Sequence, residues 1–249
     1  MDDEDTEEIL KTVYENAHIQ SRTYTFDSAR DHITALKSQM LHIPYLAEIG
    51  NEKLLADYEK AEKVEDKVFL GYLYEQKKVY GLDYDDLITI ALYILQTDET
   101  KRIKWQERMM YVMVDEFQDV SNSQYALAEI LSGYHRNLFI VGDPDQTIYT
   151  WRGAQIEYIL EFDETHENTR TIFLDMNYRS TPEILAVSNS LIEKNKKRLP
   201  HRLEAYKESG RRPIYIHSRT TGDEAQWMTS EIQRLVLEGA SYNEMAVLY

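Results

Sequence analysis

The stretch YVMVDEFQD, residues 111–119, decides the fold of this chain. Four apolar residues, 111–114, lead directly into two adjacent carboxylates, Asp115 and Glu116. A short apolar run with polar boundaries is typical of a buried strand, and parallel sheets bind ligands beyond the carboxyl ends of their strands. Phosphoryl transfer needs one carboxylate that holds Mg²⁺ and a neighbour that polarises the attacking water. The stretch therefore predicts the metal-binding half of a nucleotide-hydrolysing site.

Further short apolar runs follow the first one at residues 138–141, 171–174, 213–216 and 245–249. Amphipathic segments separate these runs, and predicted strands that alternate with helices indicate βαβ units and a parallel sheet. Asp143 and Asn177 also come directly after such runs. We expect a domain boundary near residue 180, because Thr181-Pro182 is a typical helix start.

The first 110 residues are predicted to be almost entirely helical, because apolar residues recur there at helical spacing. Pro44 is expected to break one helix. In the stretch DYDDLITIALYIL, Asp83 is a typical N-cap residue, and Asp85 and Asp86 fall in the first turn. Carboxylates there accept free backbone amides and complement the helix dipole. Capping therefore explains these three acids without a catalytic role.

The composition excludes several classes of protein. The chain has 249 residues, a net charge of −16 and no cysteine, which excludes disulfides, thiolate metal sites and cysteine nucleophiles. No apolar run approaches the roughly 20 residues that span a bilayer. The acidic N-terminus lacks the features of a secretory signal. We therefore expect an intracellular, cytoplasmic location and no membrane partner.

One segment departs from the acidic composition. Residues 194–212 carry eight basic and two acidic side chains, a local charge of +6. The segment is either a solvated helix end and loop or a strip that faces phosphates. Charge alone favours the solvated surface.

The loop GDPDQTIYTWRGA, residues 142–154, follows the second predicted strand. Its first turn would present Gln146 at the sheet edge, where an amide can contact a terminal phosphate or the attacking water. Tyr149 and Trp151 lie two residues apart, and Arg152 follows them. Single aromatic residues usually belong to a core. Aromatic residues in a loop beside a cation are typical of stacking platforms for unpaired bases, which favours stacking for at least one ring.

The motif NYRS, residues 177–180, follows the third predicted strand. Tyr178 offers a ring to a nucleobase, and Arg179 offers a planar fork to a phosphate. An arginine at such a junction is more often part of a structural ion pair, so this motif is weak by itself.

In order and spacing, VDEFQD, GDPDQTIYTWRGA and NYRS resemble the second, third and fourth motifs of superfamily 1 helicases of the UvrD/Rep/PcrA type. LDYDDLI, DEAQW and AVLY are similar to further stretches of that family. The resemblance is close over residues 80–249 and looser before them. It implies an α/β fold, namely a partial RecA-like P-loop NTPase core with a parallel sheet, preceded by a helical subdomain.

The resemblance also implies a domain organisation. Residues 1–82 would form the inserted helical subdomain, and residues 83–180 the C-terminal part of the first RecA-like core domain. Residues 181–249 would form the start of the second core domain.

The resemblance assigns ATP and Mg²⁺ as cofactors and gives five residues a role with them. Asp115 would bind Mg²⁺, and Glu116 would be the catalytic base. Gln146 would sense the terminal phosphate, Arg179 would contact that phosphate, and Tyr178 would stack on adenine.

The resemblance assigns single-stranded and duplex DNA as partners. Tyr149 and Trp151 would line the path of a single strand, and Arg152 would support their loop. In this family, ATP-driven closure of two core domains moves one strand past such aromatic residues and unwinds the duplex.

The family's phosphate-binding loop, G-x-x-x-x-G-K-[ST], has no counterpart here. The sequence contains no Gly-Lys pair, and its first 80 residues hold only Gly50 and Gly71. The chain also ends inside a predicted strand, at Tyr249. We therefore expect an internal fragment of a helicase that does not hydrolyse ATP alone and that self-associates or is partly disordered near residues 111–175.

Two alternatives stay open. One is a stand-alone, non-catalytic module that binds nucleic acid or another partner, and the other is part of a helicase–nuclease subunit.

Overall fold

A computed structural model describes residues 1–150 and 153–248. The chain divides after Thr171 into two compact units. The domain boundaries predicted at 82/83 and 180/181 concern correspondence with helicase subdomains, and they stay predictions. Among the described residues, no helix is long and apolar enough to cross a membrane.

Residues 1–110, all of which are described, contain seven helices, as the apolar spacing predicted. They are α1 (Asp3–Asn16), α2 (Phe26–Ser38), α3 (Ile43–Leu46), α4 (Glu52–Lys60), α5 (Val64–Lys78), α6 (Tyr84–Thr97) and α7 (Glu99–Arg108). Pro44 lies in the first turn of α3 rather than breaking a helix. The prediction for Pro44 was wrong because proline is tolerated in a first turn, where its missing N–H has no helical partner.

The core of this helical region lies between α1, α2, α4 and α5. Fully buried apolar side chains from these helices include Leu10, Ala29, Leu54, Val68 and Leu73. Helices α1 and α5 approach closely at Gly71, where an added Cβ would lie 2.9 Å from a methyl group of Val13. Each buried leucine or valine contributes roughly 1.5–3 kcal/mol relative to exposure.

The predicted parallel sheet begins with strands β1 (Val112–Val114) and β2 (Leu138–Ile140). The strands pair in parallel, with Met113 opposite Phe139, and helix α8 (Asn122–Ser132) connects them. One face of the pair packs on a small core around Phe117 and Phe162. The carboxyl ends of β1 and β2 therefore meet at one edge. Two short helices complete the first unit, α9 (Glu157–Leu160) and α10 (Phe162–Thr165).

The second unit contains a second parallel pair of short strands. Its elements are β3 (Met176–Asn177), α11 (Pro182–Ile192), β4 (Glu204–Ala205) and α12 (Thr221–Leu237). The predicted helix start at Thr181-Pro182 is confirmed, since Thr181 is the N-cap of α11. The α/β fold with small parallel sheets is likewise confirmed.

Three of the predicted strands were wrong within the described residues. Residues 171–174, 213–216 and 245–248 form no ladder, and β3 begins two residues beyond the first of these runs. An apolar run becomes a strand only where a neighbouring strand accepts its backbone hydrogen bonds. Tyr215, in the second of these runs, is 87% exposed.

Candidate nucleotide site

The candidate site begins where β1 ends. Oδ1 of Asp115 accepts a hydrogen bond of 2.9 Å from the amide of Glu116. Glu116 has φ 49° and ψ 43°, in the left-handed region that few residues other than glycine adopt. This conformation turns the chain sharply at the strand end, and both carboxylates remain exposed. Strained residues of this kind cluster at functional sites.

Gln118 joins the ends of the two strands. Its side chain is 2% exposed. Its Nε2 donates to Oε2 of Glu116 at 2.8 Å, and its Oε1 accepts from the amide of Asp143 at 3.0 Å. One buried amide thus holds the carboxylate after β1 and the loop after β2 in fixed relation. Its position two residues after Glu116 was the available sequence signal for this role.

Gly142 makes this link between the loops possible. An added Cβ would lie 2.6 Å from Oε1 of Gln118 and 3.0 Å from the amide of Phe117. That amide in turn donates to the carbonyl of Val141 at 2.9 Å. A side chain at position 142 would therefore separate the two strand ends.

The loop after β2 carries Gln146. Residues Pro144–Gln146 form a short 3-10 helix that Asp143 caps through the amide of Asp145, at 3.0 Å. The other carboxylate oxygen of Asp143 accepts from Nε2 of Gln146 at 2.8 Å. Gln146 is exposed. The structure thus places Asp115, Glu116 and Gln146 on loops that follow adjacent parallel strands.

The donor set at the end of β1 suits a hard cation. Within the described residues, neither Asp115 nor Glu116 forms an ion pair. Two adjacent exposed carboxylates provide the oxygen ligands that Mg²⁺ prefers.

The loop of the predicted single-strand path is described in part. Tyr149 is 38% exposed, and its carbonyl accepts from the amide of Ala154 at 3.3 Å. Ala154 forms an antiparallel bridge with Ser121, which ties the loop to the start of α8. Trp151 and Arg152 lie outside the described residues, so their predicted roles stay predictions.

Tyr178 and Arg179 lie in the second unit, directly after β3. Oδ1 of Asn177 accepts the amides of Arg179 at 3.0 Å and of Ser180 at 2.8 Å. This turn directs the chain from β3 into α11. Both Tyr178 and Arg179 are exposed.

A buried ionic cluster lies apart from this site, among α2, α5 and α6. Asp83 is the N-cap of α6, as predicted, and it forms a capping box with Asp86. Both carboxylates also bind the fully buried ammonium of Lys37, which lies 2.8 Å from Oδ1 of Asp86. Tyr72 donates to Asp83 at 2.8 Å, and Gln76 donates to Asp86. Sequence analysis missed this cluster because Lys37 lies more than 40 residues before its partners.

The cluster shifts the protonation of its members. Burial acts to raise the pKa of Asp83, but Lys37 and the hydrogen bonds outweigh burial and lower it. Burial prevails at Asp86 and raises its pKa. Nε2 of His42 lies 3.3 Å from Oδ1 of Asp86. Burial of His42 and the charge of Lys37 lower the pKa of His42 to about 4 and outweigh the attraction of Asp83, which acts to raise it.

Two family models match this chain. Residues 1–167 match the model of the UvrD/REP helicase N-terminal domain, and residues 172–249 match that of the UvrD-like helicase C-terminal domain. The chain belongs to the UvrD/Rep helicase family. The family resemblance of the three motifs is thereby confirmed.

Similar helicases of this family include two from staphylococci. An ATP-dependent DNA helicase PcrA of Staphylococcus epidermidis (strain ATCC 12228) is 34% identical over 249 residues, which are 100% of this chain and 33% of that protein. The PcrA of Staphylococcus aureus (strain NCTC 8325) gives the same identity and the same coverage. This UvrD/Rep chain thus spans about a third of the length of the curated relatives it matches.

Proposed function

We propose that this chain supplies part of the motor of an ATP-dependent DNA helicase, which couples ATP hydrolysis to movement along a single strand and to unwinding of duplex DNA. The observation that carries the proposal is the buried side chain of Gln118, which joins Glu116 to the loop that bears Gln146. Parallel sheets bind ligands at this edge. Gln118 thus connects Glu116, the candidate base, with the loop of Gln146, the candidate phosphate sensor.

The residues of the first unit have the chemistry for these roles. Asp115 would hold Mg²⁺, and the ion would neutralise charge on the phosphates of ATP. Glu116 would accept a proton from the attacking water, because its carboxylate is exposed and is oriented by Gln118. Gln146 would donate to the terminal phosphate.

In the second unit, Tyr178 would stack on adenine and Arg179 would bind the terminal phosphate. Both side chains are exposed at the carboxyl end of a parallel strand. Arg179 supplies the paired N–H groups that match phosphate oxygens.

The isolated chain would not turn over ATP. Phosphate-binding loops cradle phosphates with backbone amides and a lysine, and this sequence has no Gly-Lys pair. The carboxylates would hold the metal, but the nucleotide would lack its main anchor. A non-catalytic module that binds nucleic acid is therefore the second candidate function.

Single-strand binding tests the DNA part of the proposal. Tyr149 is exposed in a loop of the type that stacks unpaired bases. We expect the chain to bind a fluorescein-labelled oligothymidylate weakly in an anisotropy titration, and Tyr149→Ala to weaken binding about fivefold, which corresponds to the loss of ~1 kcal/mol per base.

The matched control for this titration is Tyr134→Ala, which removes a 58% exposed tyrosine from the same unit. Equal affinity of the wild-type, Tyr149→Ala and Tyr134→Ala proteins would contradict the assignment of a strand to this loop.

A further inference from the structure

The carboxyl end of the β3–β4 pair brings two tyrosines together. The parallel register pairs Asn177 with Ala205. Tyr178 and Tyr206 are the residues that directly follow these two strand ends. Their ring centroids lie 4.9 Å apart, with an interplanar angle of 43°. The two side chains are 66% and 69% exposed. A pair of rings that touch while remaining this exposed retains free faces for a planar ligand.

Each tyrosine is followed by a cation. Arg179 follows Tyr178, Lys207 follows Tyr206, and both cations are exposed. Neither forms an ion pair within residues 1–150 and 153–248. Lys207 belongs to the segment 194–212, whose charge of +6 contrasts with the −16 of the whole chain. Two rings and two cations thus lie at one strand end.

The loop that carries Tyr206 and Lys207 is held in place. The amide of Gly210 donates to Oε2 of Glu183 at 2.9 Å, and the hydroxyl of Ser209 donates to the same carboxylate. These bonds lower the pKa of Glu183 to about 2, so the carboxylate accepts both at neutral pH. Gly210 also packs closely on Thr181, where an added Cβ would lie 2.8 Å from Cγ2. The loop is therefore seated on the first turn of α11 before any ligand binds.

We propose that Tyr206 and Lys207 complete a nucleobase-and-phosphate site with Tyr178 and Arg179. Tyr206 supplies a second ring for the base, and Lys207 supplies a second cation for the phosphate. The proposal rests on the proposed contact of Tyr178 with adenine. A free nucleotide and single-stranded DNA both present bases and phosphates to such a site. The exposed pair of tyrosines at the end of the β-strands fits one base with its phosphates. An adenine nucleotide is therefore the expected ligand.

Photolabelling of the 249-residue chain with 8-azidoadenosine triphosphate tests this site, because covalent capture detects weak binding. We expect the label in peptides that contain Tyr178 or Tyr206. Tyr206→Ala should reduce labelling at least about fivefold, as for loss of a stacking partner, and Tyr206→Phe should retain it. Tyr215→Ala removes an exposed tyrosine of the same unit and serves as the control. Circular dichroism verifies that each variant is folded.

The outcomes separate this proposal from the one on which it rests. Loss of labelling in Tyr178→Ala but not in Tyr206→Ala would overturn the role of Tyr206 and leave the contact of Tyr178 with the base intact. Full labelling in both variants would overturn both assignments.

Two further arms of the experiment examine the phosphate and the source of the base. Lys207→Ala should reduce labelling by 8-azidoadenosine triphosphate but not by 8-azidoadenosine, and equal loss with both probes would overturn the contact of Lys207 with phosphate. Unlabelled ATP should compete at lower concentration than an oligothymidylate of equal nucleotide content. The reverse order would overturn a free nucleotide as the ligand and identify a single strand as the source.

Discussion

At the scale of single residues, Gln118 has the greatest influence on the candidate site. It is buried, and its amide serves Glu116 and the backbone of Asp143 at once. Replacement by alanine would leave the partly buried backbone amide of Asp143 without its acceptor and would open a small cavity. Unsatisfied buried polar groups cost about 1–3 kcal/mol each, so we expect Gln118→Ala to lower the free energy of unfolding by roughly 2 kcal/mol.

Urea denaturation followed by circular dichroism measures this change. Gln96→Ala is the matched control, because Gln96 is an exposed glutamine on α6 of the same unit. Its effect should stay within about 0.5 kcal/mol. Equal stability of the Gln118→Ala and Gln96→Ala variants would show that Gln118 does not hold the strand ends together.

At the scale of elements, the buried cluster around Lys37 links α2 to α6. Removing one partner of a buried ion pair leaves an uncompensated charge, which costs about 3–5 kcal/mol. We therefore expect Lys37→Met to be strongly destabilising in the same urea assay. Lys11→Met removes an exposed lysine of α1 that pairs with Glu7, and it should have little effect. Equal stability of the two variants would contradict the structural role of the cluster.

The same cluster predicts a pH dependence. The pKa of His42 is lowered in the folded state from 6.5 to about 4, so between these values the unfolded chain binds more protons at this site. The stability supplied by neutral His42 is thus complete above about pH 6.5 and is lost as the pH falls towards 4. Asp83, whose pKa is lowered, acts in the same direction at lower pH, whereas Asp86, whose pKa is raised, opposes both.

Urea midpoints at a series of pH values between 7 and 4 test this dependence. Wild type should lose stability over this range more steeply than His42→Gln, which cannot gain the proton. Parallel curves for the two proteins would contradict the lowered pKa of His42.

Local sequence signals predict some elements of this fold and not others. The helices, the cap at Asp83 and the first pair of parallel strands were predicted correctly. Capping, apolar spacing and strand ends depend on residues that are close together in the sequence. The strands predicted at 213–216 and 245–248 failed because a strand depends on a partner that the sequence does not specify locally. The links from Gln118 to Asp143 and from Lys37 to Asp83 were not foreseen, since each joins residues distant along the chain.

At the scale of the whole molecule, the first sheet has an exposed apolar face. Met113 and Phe139 lie opposite each other and are 74% and 58% exposed. Parallel sheets are almost always covered on both faces, and open strand edges invite pairing. We expect the chain to self-associate at micromolar concentration, and Phe139→Lys to reduce this association, as measured by size-exclusion chromatography with light scattering.

Leu237→Lys serves as the control for self-association, because it places the same charge at an 89% exposed leucine in the second unit. If both variants reduce self-association equally, the effect comes from the added charge and not from the exposed face of the first sheet. A monodisperse wild-type monomer would contradict the prediction.

We propose that the chain carries the metal-and-base part of a helicase site without the phosphate-binding loop. To test this, ATP hydrolysis by the purified, folded chain is measured with and without single-stranded DNA, beside Glu116→Gln. We expect no turnover above that of Glu116→Gln, whether or not DNA is present. Turnover that DNA stimulates and Glu116→Gln abolishes would contradict the claim, since it would require a phosphate-binding site elsewhere in these 249 residues.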